Sequence, residues 1–261
     1  MKHHFLHDKA RIEQYLRRDA ALHLYELGDL DNFFWPHTSW YGLQENGGIK
    51  SIALLYAGTE LPVLLALGPA GSDYYVKLLE SIRHLLPGRF YCHLTPGLDE
   101  ALKKTYHLEF HGRHLKMTLT KSESLQSINV SVVERLKAKD ETELFEFYKN
   151  CYPGNWFDPR MLESGEYFGI RQNGRLASVA GIHVYSRQYK VAALGNIATR
   201  AELRGQGLGR AATAALCLNL QKSCDFIGLN VKKDNAPAIR CYQQLGFTPT
   251  AEYDEYLAAR F

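Results

Sequence analysis

One glycine-rich turn constrains this chain more than any other feature. Thr199-Arg200-Ala201-Glu202-Leu203-Arg204-Gly205-Gln206-Gly207-Leu208-Gly209-Arg210 follows the apolar run Val191–Ala198 and opens a helix-like run, Ala211–Leu220. Gly205, Gly207 and Gly209 fall close together, so a row of backbone N–H groups stands unshielded by any Cβ. Those donors meet the positive end of a helix dipole, with Arg204 and Arg210 on either flank. Such a turn suits a diphosphate.

Two familiar phosphate loops do not fit. A P-loop requires Lys followed by Ser or Thr after its last glycine, and Arg210-Ala211 stands there instead. A dinucleotide fingerprint requires G-x-G-x-x-G, whereas the third glycine here comes one position early, at Gly209. Asp225 lies where a ribose-binding acid would sit, but the chain ends too soon for the remaining βα units of that fold.

The turn reads Arg-x-x-Gly-x-Gly at Arg204, Gly207 and Gly209. Downstream comes Leu229-Asn230-Val231, then Asn235-Ala236-Pro237-Ala238, then Tyr242 and Leu245-Gly246-Phe247. In this order and spacing the two segments resemble the GNAT superfamily of CoA-dependent N-acyltransferases, from Tyr167 to Leu257, and the resemblance fades towards the N-terminus. It implies acetyl-CoA as cofactor, with the diphosphate on the N–H groups of Gly205, Gln206, Gly207, Leu208, Gly209 and Arg210. It also implies a pantetheine arm paired with backbone groups at Ile197, Ala198 and Thr199, as an added strand would pair. An N–H near Ile197 then stabilises the oxyanion. Asn230, Asn235, Ala238 and Tyr242 complete the implied cofactor contacts.

Each of those side chains also has a plainer reading. Asn235 stands before a first-turn proline and can simply cap a helix. Asn230 lies on a buried strand, where its amide needs a partner in either the cofactor or the neighbouring backbone. Tyr242 is two helical turns beyond Asn235, on nearly the same face. A phenol of pKa about 10 can protonate a thiolate whose parent thiol lies near 8.5, which makes Tyr242 a candidate general acid. Packing against Phe247 is the alternative. Cys241 points away from that face, which argues against a covalent acyl-cysteine.

The run Tyr189–Thr199 contains no carboxylate to act as general base. Glu166, His183 and Glu202 are nearby titratable groups, each with a structural reading, and no base is assigned. The loop Tyr152-Pro153-Gly154-Asn155-Trp156-Phe157 can wall an acceptor pocket or pack the two halves together. Phe33-Phe34-Trp35-Pro36 carries the same ambiguity. His107, His111 and His114 invite a metal reading, but strand alternation sends His114 to the opposite face, so no metal site is expected.

A second pattern organises the chain. Tyr41-Gly42-Leu43 lies over Phe168-Gly169-Ile170 at an offset of 127 residues, as do Asn46-Gly47 over Asn173-Gly174, Ser51 over Ser178, and Leu67-Gly68 over Leu194-Gly195. Each copy reads as strand, Asn-Gly turn, strand, connection, strand. The first leads to Pro69-Ala70-Gly71-Ser72-Asp73, which lacks the phosphate-binding pattern. The expected fold is α/β, with a mixed (α+β) sheet in two tandem GNAT-like halves. Residues 1–125 form a degenerate domain and 130–261 the acyl-CoA-binding catalytic domain. Helices are expected near Ser72–Leu86, Leu98–Tyr106, Asp140–Lys149, Leu208–Lys222 and Ala236–Leu245, and a last strand near Glu252–Leu257.

Composition sets the remaining limits. The 261 residues are 46% hydrophobic, ample for packed cores. A net charge of +3 is too small to argue for nucleic acid or an anionic membrane. The five cysteines are scattered without C-x-x-C and read as reduced thiols of a cytoplasmic protein. No apolar run approaches the roughly 20 residues a bilayer needs. The expected activity is N-acetyl transfer from acetyl-CoA to a primary amine on a small molecule or peptide. Longer-chain transfer, as in glycine N-acyltransferase-like enzymes, and a non-catalytic CoA-binding module are the alternatives.

Overall fold

The computed structural model describes residues 3–261. In chain order its elements begin with β1 (His3–Phe5), α1 (Lys9–Leu16), α2 (Leu24–Asp29), β2 (Thr38–Glu45) and β3 (Gly48–Tyr56). Next come β4 (Val63–Ala66), α3 (Asp73–Ile82), β5 (Arg89–Leu94) and β6 (Tyr106–Leu119). Then follow β7 (Glu134–Arg135), α4 (Glu141–Cys151), β8 (Phe168–Gln172), β9 (Arg175–Ser186) and β10 (Val191–Thr199). The chain closes with α5 (Leu208–Leu220), β11 (Phe226–Lys232), α6 (Ala236–Gln244) and β12 (Phe247–Arg260). The architecture is mixed α/β.

These elements group into two compact units. The first runs to Lys116 and takes in Val231–Asp234 and Thr250–Phe261; the second holds Met117–Asn230 and Asn235–Pro249. The units therefore interleave along the chain, where a single cut between 125 and 130 was expected. The 14-residue strands β6 and β12 contribute residues to both units, so no single cut separates them.

In the first unit the strands β1-β2-β3-β4-β5-β12 lie side by side, with β4 and β5 parallel and the other pairs antiparallel. Tyr75, Leu78, Leu79 and Ile82 of α3 recur at helical spacing and are fully buried. They pack in one cluster with Phe90, Cys92 and Leu94, the alternate residues of β5. The helix expected over Leu98–Tyr106 is only a 3₁₀ turn, Leu98–Ala101. Tyr106 instead starts β6, because its hydroxyl donates to the Arg83 and Leu86 carbonyls and draws the ring into the core.

In the second unit the strand order is β7-β8-β9-β10-β11, with only β10 and β11 parallel. Helix α4 buries Leu144, Phe147 and Tyr148, and α5 buries Ala212, Leu216, Cys217 and Leu220.

The 127-residue repeat extends to backbone detail. Asn46 and Gly47 have φ of 51° and 75°, and Asn173 and Gly174 have 50° and 74°, the paired positive values of a two-residue hairpin turn. Both hairpins shift register at equivalent points, between Leu43 and Gln44 and between Ile170 and Arg171. The last strand, expected over Glu252–Leu257, extends from Phe247 to Arg260.

Candidate functional site

The site begins where two parallel strands stop pairing. β10 and β11 are in register from Val191↔Phe226 to Leu194↔Leu229 and no further, although β10 continues to Thr199 and β11 to Lys232. Two register shifts on the other side of β10 accompany this divergence. Between the pairs Ala193↔Val184 and Leu194↔Ile182, β9 carries one extra residue, His183. Between Gly195↔Gly181 and Ala198↔Val179, β10 carries one extra residue, within Asn196-Ile197. Asn196 adopts φ of 55°, a conformation that asparagine tolerates better than most residues. Bulges of this kind bend a strand and re-aim its side chains.

β10 leads into the glycine turn, where Gly205 and Gly207 both have φ of 80°. Gly207 is the N-cap residue of α5, and no side chain caps the helix there. The N–H groups of Leu208, Gly209 and Arg210 therefore have no intrahelical acceptor. A Cβ on Gly209 would lie 3.0 Å from Thr199 Oγ1, so this glycine lets the first turn of α5 sit against the end of β10. Arg204 and Gln206 are exposed, and Arg204 Nε donates to the Thr199 carbonyl at 3.3 Å. Arg210 reaches Gln244 Oε1 of α6 at 2.9 Å. Arg200, by contrast, is bound to the Leu176 carbonyl and lies over the Phe147 ring, a packing role.

Across the divergence, Asn230 Oδ1 on β11 is buried and has no hydrogen-bond partner among the described residues. A buried, orphaned carbonyl oxygen is costly unless a donor reaches it. An amide N–H of a pantetheine arm between β10 and β11 is such a donor, so the residues present fit the group the sequence implies. Asn235 caps α6, with Oδ1 accepting from Ala238 N–H at 3.2 Å. Tyr242 is partly buried, its ring edge-on to Phe247 at 6.1 Å. Burial pushes its phenol far above the ordinary range, and neighbouring Cys241 and Tyr152 add to the shift. Tyr242 stays protonated at neutral pH, as a proton donor must.

The Tyr152–Phe157 loop divides its aromatics between two tasks. Phe157 is half-buried and packs on Phe145, Tyr148 and Tyr167. Trp156 is 39% exposed, with its ring 6.0 Å from that of His183. Asn155 Nδ2 donates to Asn196 Oδ1 at 3.0 Å, and Tyr148 OH donates to the Asn196 carbonyl at 2.8 Å. His183 Nε2 lies 3.3 Å from Asn196 Oδ1. A Cβ on Gly195 would stand 2.3 Å from the His183 ring, so only glycine leaves room for it there. The carboxylate candidates lie elsewhere: Glu166 is buried and accepts from Asn219 near the far end of α5, and Glu202 is exposed on the turn.

Asn196 was missed in the sequence reading. Its signal was present, because a glycine-asparagine pair inside an apolar strand marks a bulge and a left-handed residue. Of the three histidines considered for metal, His107 is exposed, His111 lies 3.4 Å from Glu109, and His114 lies 3.5 Å from Glu255. Among the described residues no cluster of three or more ligands is arranged to hold a metal ion. Nor is any helix among them long and apolar enough to cross a membrane.

Residues 133–247 match the acetyltransferase (GNAT) family. A Drosophila protein of known structure superposes with a TM-score of 0.71 at 13% identity, over 98% of both chains. A tandem GNAT protein from the clavulanic acid biosynthesis pathway superposes with a TM-score of 0.59 at 14% identity, again over 98% of both. A GNAT-family structure described as a putative acetyltransferase, from Novosphingobium aromaticivorans, gives 0.57 at 19% identity, over 80% of this chain and 88% of the other. At these identities the likeness is one of fold. No curated protein matches the chain.

Proposed function

We propose that the chain is an acyl-CoA-dependent N-acyltransferase that moves an acetyl group from acetyl-CoA to a primary amine on a small molecule or peptide. The observation that carries this reading is the parting of β10 from β11 directly before an uncapped helix N-terminus, with Asn230 Oδ1 orphaned on the open edge. Acyl-CoA supplies the activated thioester; the chain supplies the rest.

The N–H groups from Gly205 to Arg210 bind the diphosphate, and Arg204 and Arg210 add charge. Ile197, Ala198 and Thr199 offer strand-like backbone groups to the pantetheine arm, while Asn230 and the N-terminal turn of α6 at Asn235 and Ala238 bound its other side. A trans peptide points its C=O and N–H in opposite directions. Tyr148 holds the Asn196 carbonyl, so the N–H of Ile197 is fixed facing away from Tyr148 and serves as oxyanion donor. Tyr242 protonates the departing thiolate.

The test is a thiol-release assay across a library of primary amines, with acetyl-, propionyl- and benzoyl-CoA compared. Acetyl-CoA turnover on at least one amine is expected. In Tyr242→Phe, turnover should drop by roughly 10²–10⁴ with little change in acetyl-CoA affinity. Binding without turnover on any amine would make the chain a CoA-binding module instead, and a rate within about threefold of wild type in Tyr242→Phe, with chemistry rate-limiting, would remove that residue's role.

A further inference from the structure

The extra residue of a bulge is left out of the strand ladder, so something else must hold it. At the β10 bulge that task falls to side chains gathered on Asn196. This residue is only 2% exposed, which leaves almost no surface for a ligand to meet. Both ends of its amide are nonetheless engaged. Tyr167 OH lies 3.1 Å from the Ile182 carbonyl and 3.4 Å from Met161 Sδ, neither of which has a proton to give. The one phenolic proton serves these acceptors, so towards Asn196 the hydroxyl accepts, and Asn196 Nδ2 donates to it at 2.8 Å. Oδ1 then faces the other way and accepts from Asn155 Nδ2 at 3.0 Å, with His183 Nε2 3.3 Å from the same oxygen. The Asn196 carbonyl accepts from Tyr148 OH at 2.8 Å, and burial keeps that phenol protonated.

We infer that Asn196 is a positioning residue for the acyl group: pinned by Asn155, Tyr167 and Tyr148, it holds the bulge in the conformation that aims the Ile197 N–H at the thioester carbonyl. This rests on the acyltransfer reading above. The Asn196 carbonyl and the Ile197 N–H belong to one peptide plane, so whatever locks residue 196 also locks that donor. Tyr148 grips the plane at its oxygen. Asn155 and Tyr167 grip the side chain from opposite ends of its amide. A preorganised donor is effective because it need not move when charge develops on the oxygen.

Asparagine suits the position on two counts. It tolerates the φ of 55° found here, and its amide offers a donor and an acceptor in opposite directions. Aspartate would have no donor for Tyr167, and glycine would have no clamp at all. The grips come from separate places in the unit: Tyr148 from α4, Asn155 from the loop after it, and Tyr167 from the residue before β8. Asn155 N–H also closes its own turn on the Tyr152 carbonyl at 3.2 Å, so the loop presents its amide from a fixed base.

The test reads the bound thioester directly and needs no acceptor. In infrared difference spectra of the full chain with acetyl-CoA carrying ¹³C at the acetyl carbonyl, the carbonyl stretch should move to lower frequency on binding. Asn196→Gly keeps the left-handed conformation accessible and removes the clamp. There the shift should be largely lost, and kcat on a working amine should fall by roughly 10²-fold. Asn155→Asp keeps the shape but sets an oxygen against Asn196 Oδ1, and about a tenfold fall in kcat is expected. Acetyl-CoA affinity should stay within about twofold of wild type in both. A wild-type carbonyl shift retained in both variants overturns this proposal and leaves the acyltransferase reading intact. Loss of acetyl-CoA affinity in both variants also overturns it, because Asn196 would then support the cofactor site as a whole. A wild-type chain that binds acetyl-CoA with no carbonyl shift overturns the Ile197 donor and this proposal together.

Discussion

The parallel strand pairs β4/β5 and β10/β11 occupy equivalent places in the two units and end in opposite ways. In the first unit pairing runs from Val63↔Tyr91 to Ala66↔Leu94, and Thr95 N–H then continues it by donating to the Ala66 carbonyl. Thr95 Oγ1 accepts from Gly68 N–H at 2.9 Å and donates to the Gly68 carbonyl at 3.0 Å. Tyr75 fills the space above Gly68, where a Cβ would lie 2.1 Å from its ring. In the second unit the strands part, the repeat-equivalent Gly195 seats an imidazole, and the side-chain oxygen of Asn230 on β11 has no partner among the described residues. The difference between a sealed sheet and the proposed binding slot thus rests on one side-chain hydroxyl, one aromatic ring and two bulges.

The largest effect that separates the units comes from matched glycine replacements. Gly71 and Gly207 have φ of 71° and 80°, and each lies at the start of the helix that follows its strand. Valine in this region costs roughly 1–2 kcal/mol of backbone strain at either position. Only Gly207→Val also displaces the diphosphate donors, and losing two charge-assisted hydrogen bonds should weaken acetyl-CoA binding by about 10²–10³-fold. Gly71→Val should leave that affinity unchanged. Equal affinity losses in the two variants, measured by fluorescence competition, would mean that the units do not differ as described.

A smaller pair of changes tests the sealing itself. Thr95→Ala strips Gly68 of both partners and should lower stability by about 1–3 kcal/mol in denaturant titration, without altering acetyl-CoA affinity. Asn230→Ala removes an orphaned oxygen and should leave the unliganded protein nearly as stable, while acetyl-CoA affinity falls by up to about tenfold. Should Asn230→Ala destabilise the free chain as Thr95→Ala does, its amide has a partner within the protein and the slot assignment fails.

Much of the site was legible because its signals are local. The glycine turn, the Asn-Gly hairpins and the Asn235 cap depend on a few consecutive residues whose backbone preferences are strong. The parts that were not legible depend on register between strands. His183 becomes the extra residue of β9 only because Ile182 and Val184 pair with adjacent residues of β10. Thr95 closes its strand pair only because Gly68 lies opposite. The segment Leu98–Tyr106 had helical spacing, yet Tyr106 found its hydrogen bonds at Arg83 and Leu86, and the chain extended there. Tertiary partners of this kind override spacing, and the interleaving of the compact units follows the same lesson.

The central claim is that only the second of two repeated units has the parted strands and the three-glycine turn that we propose bind acyl-CoA. Isothermal titration of the full chain with acetyl-CoA tests it most directly. One site per chain is predicted, lost in Gly207→Val and kept in Gly71→Val. Two equivalent sites, or a single site abolished only by changes near Pro69–Asp73, would contradict it.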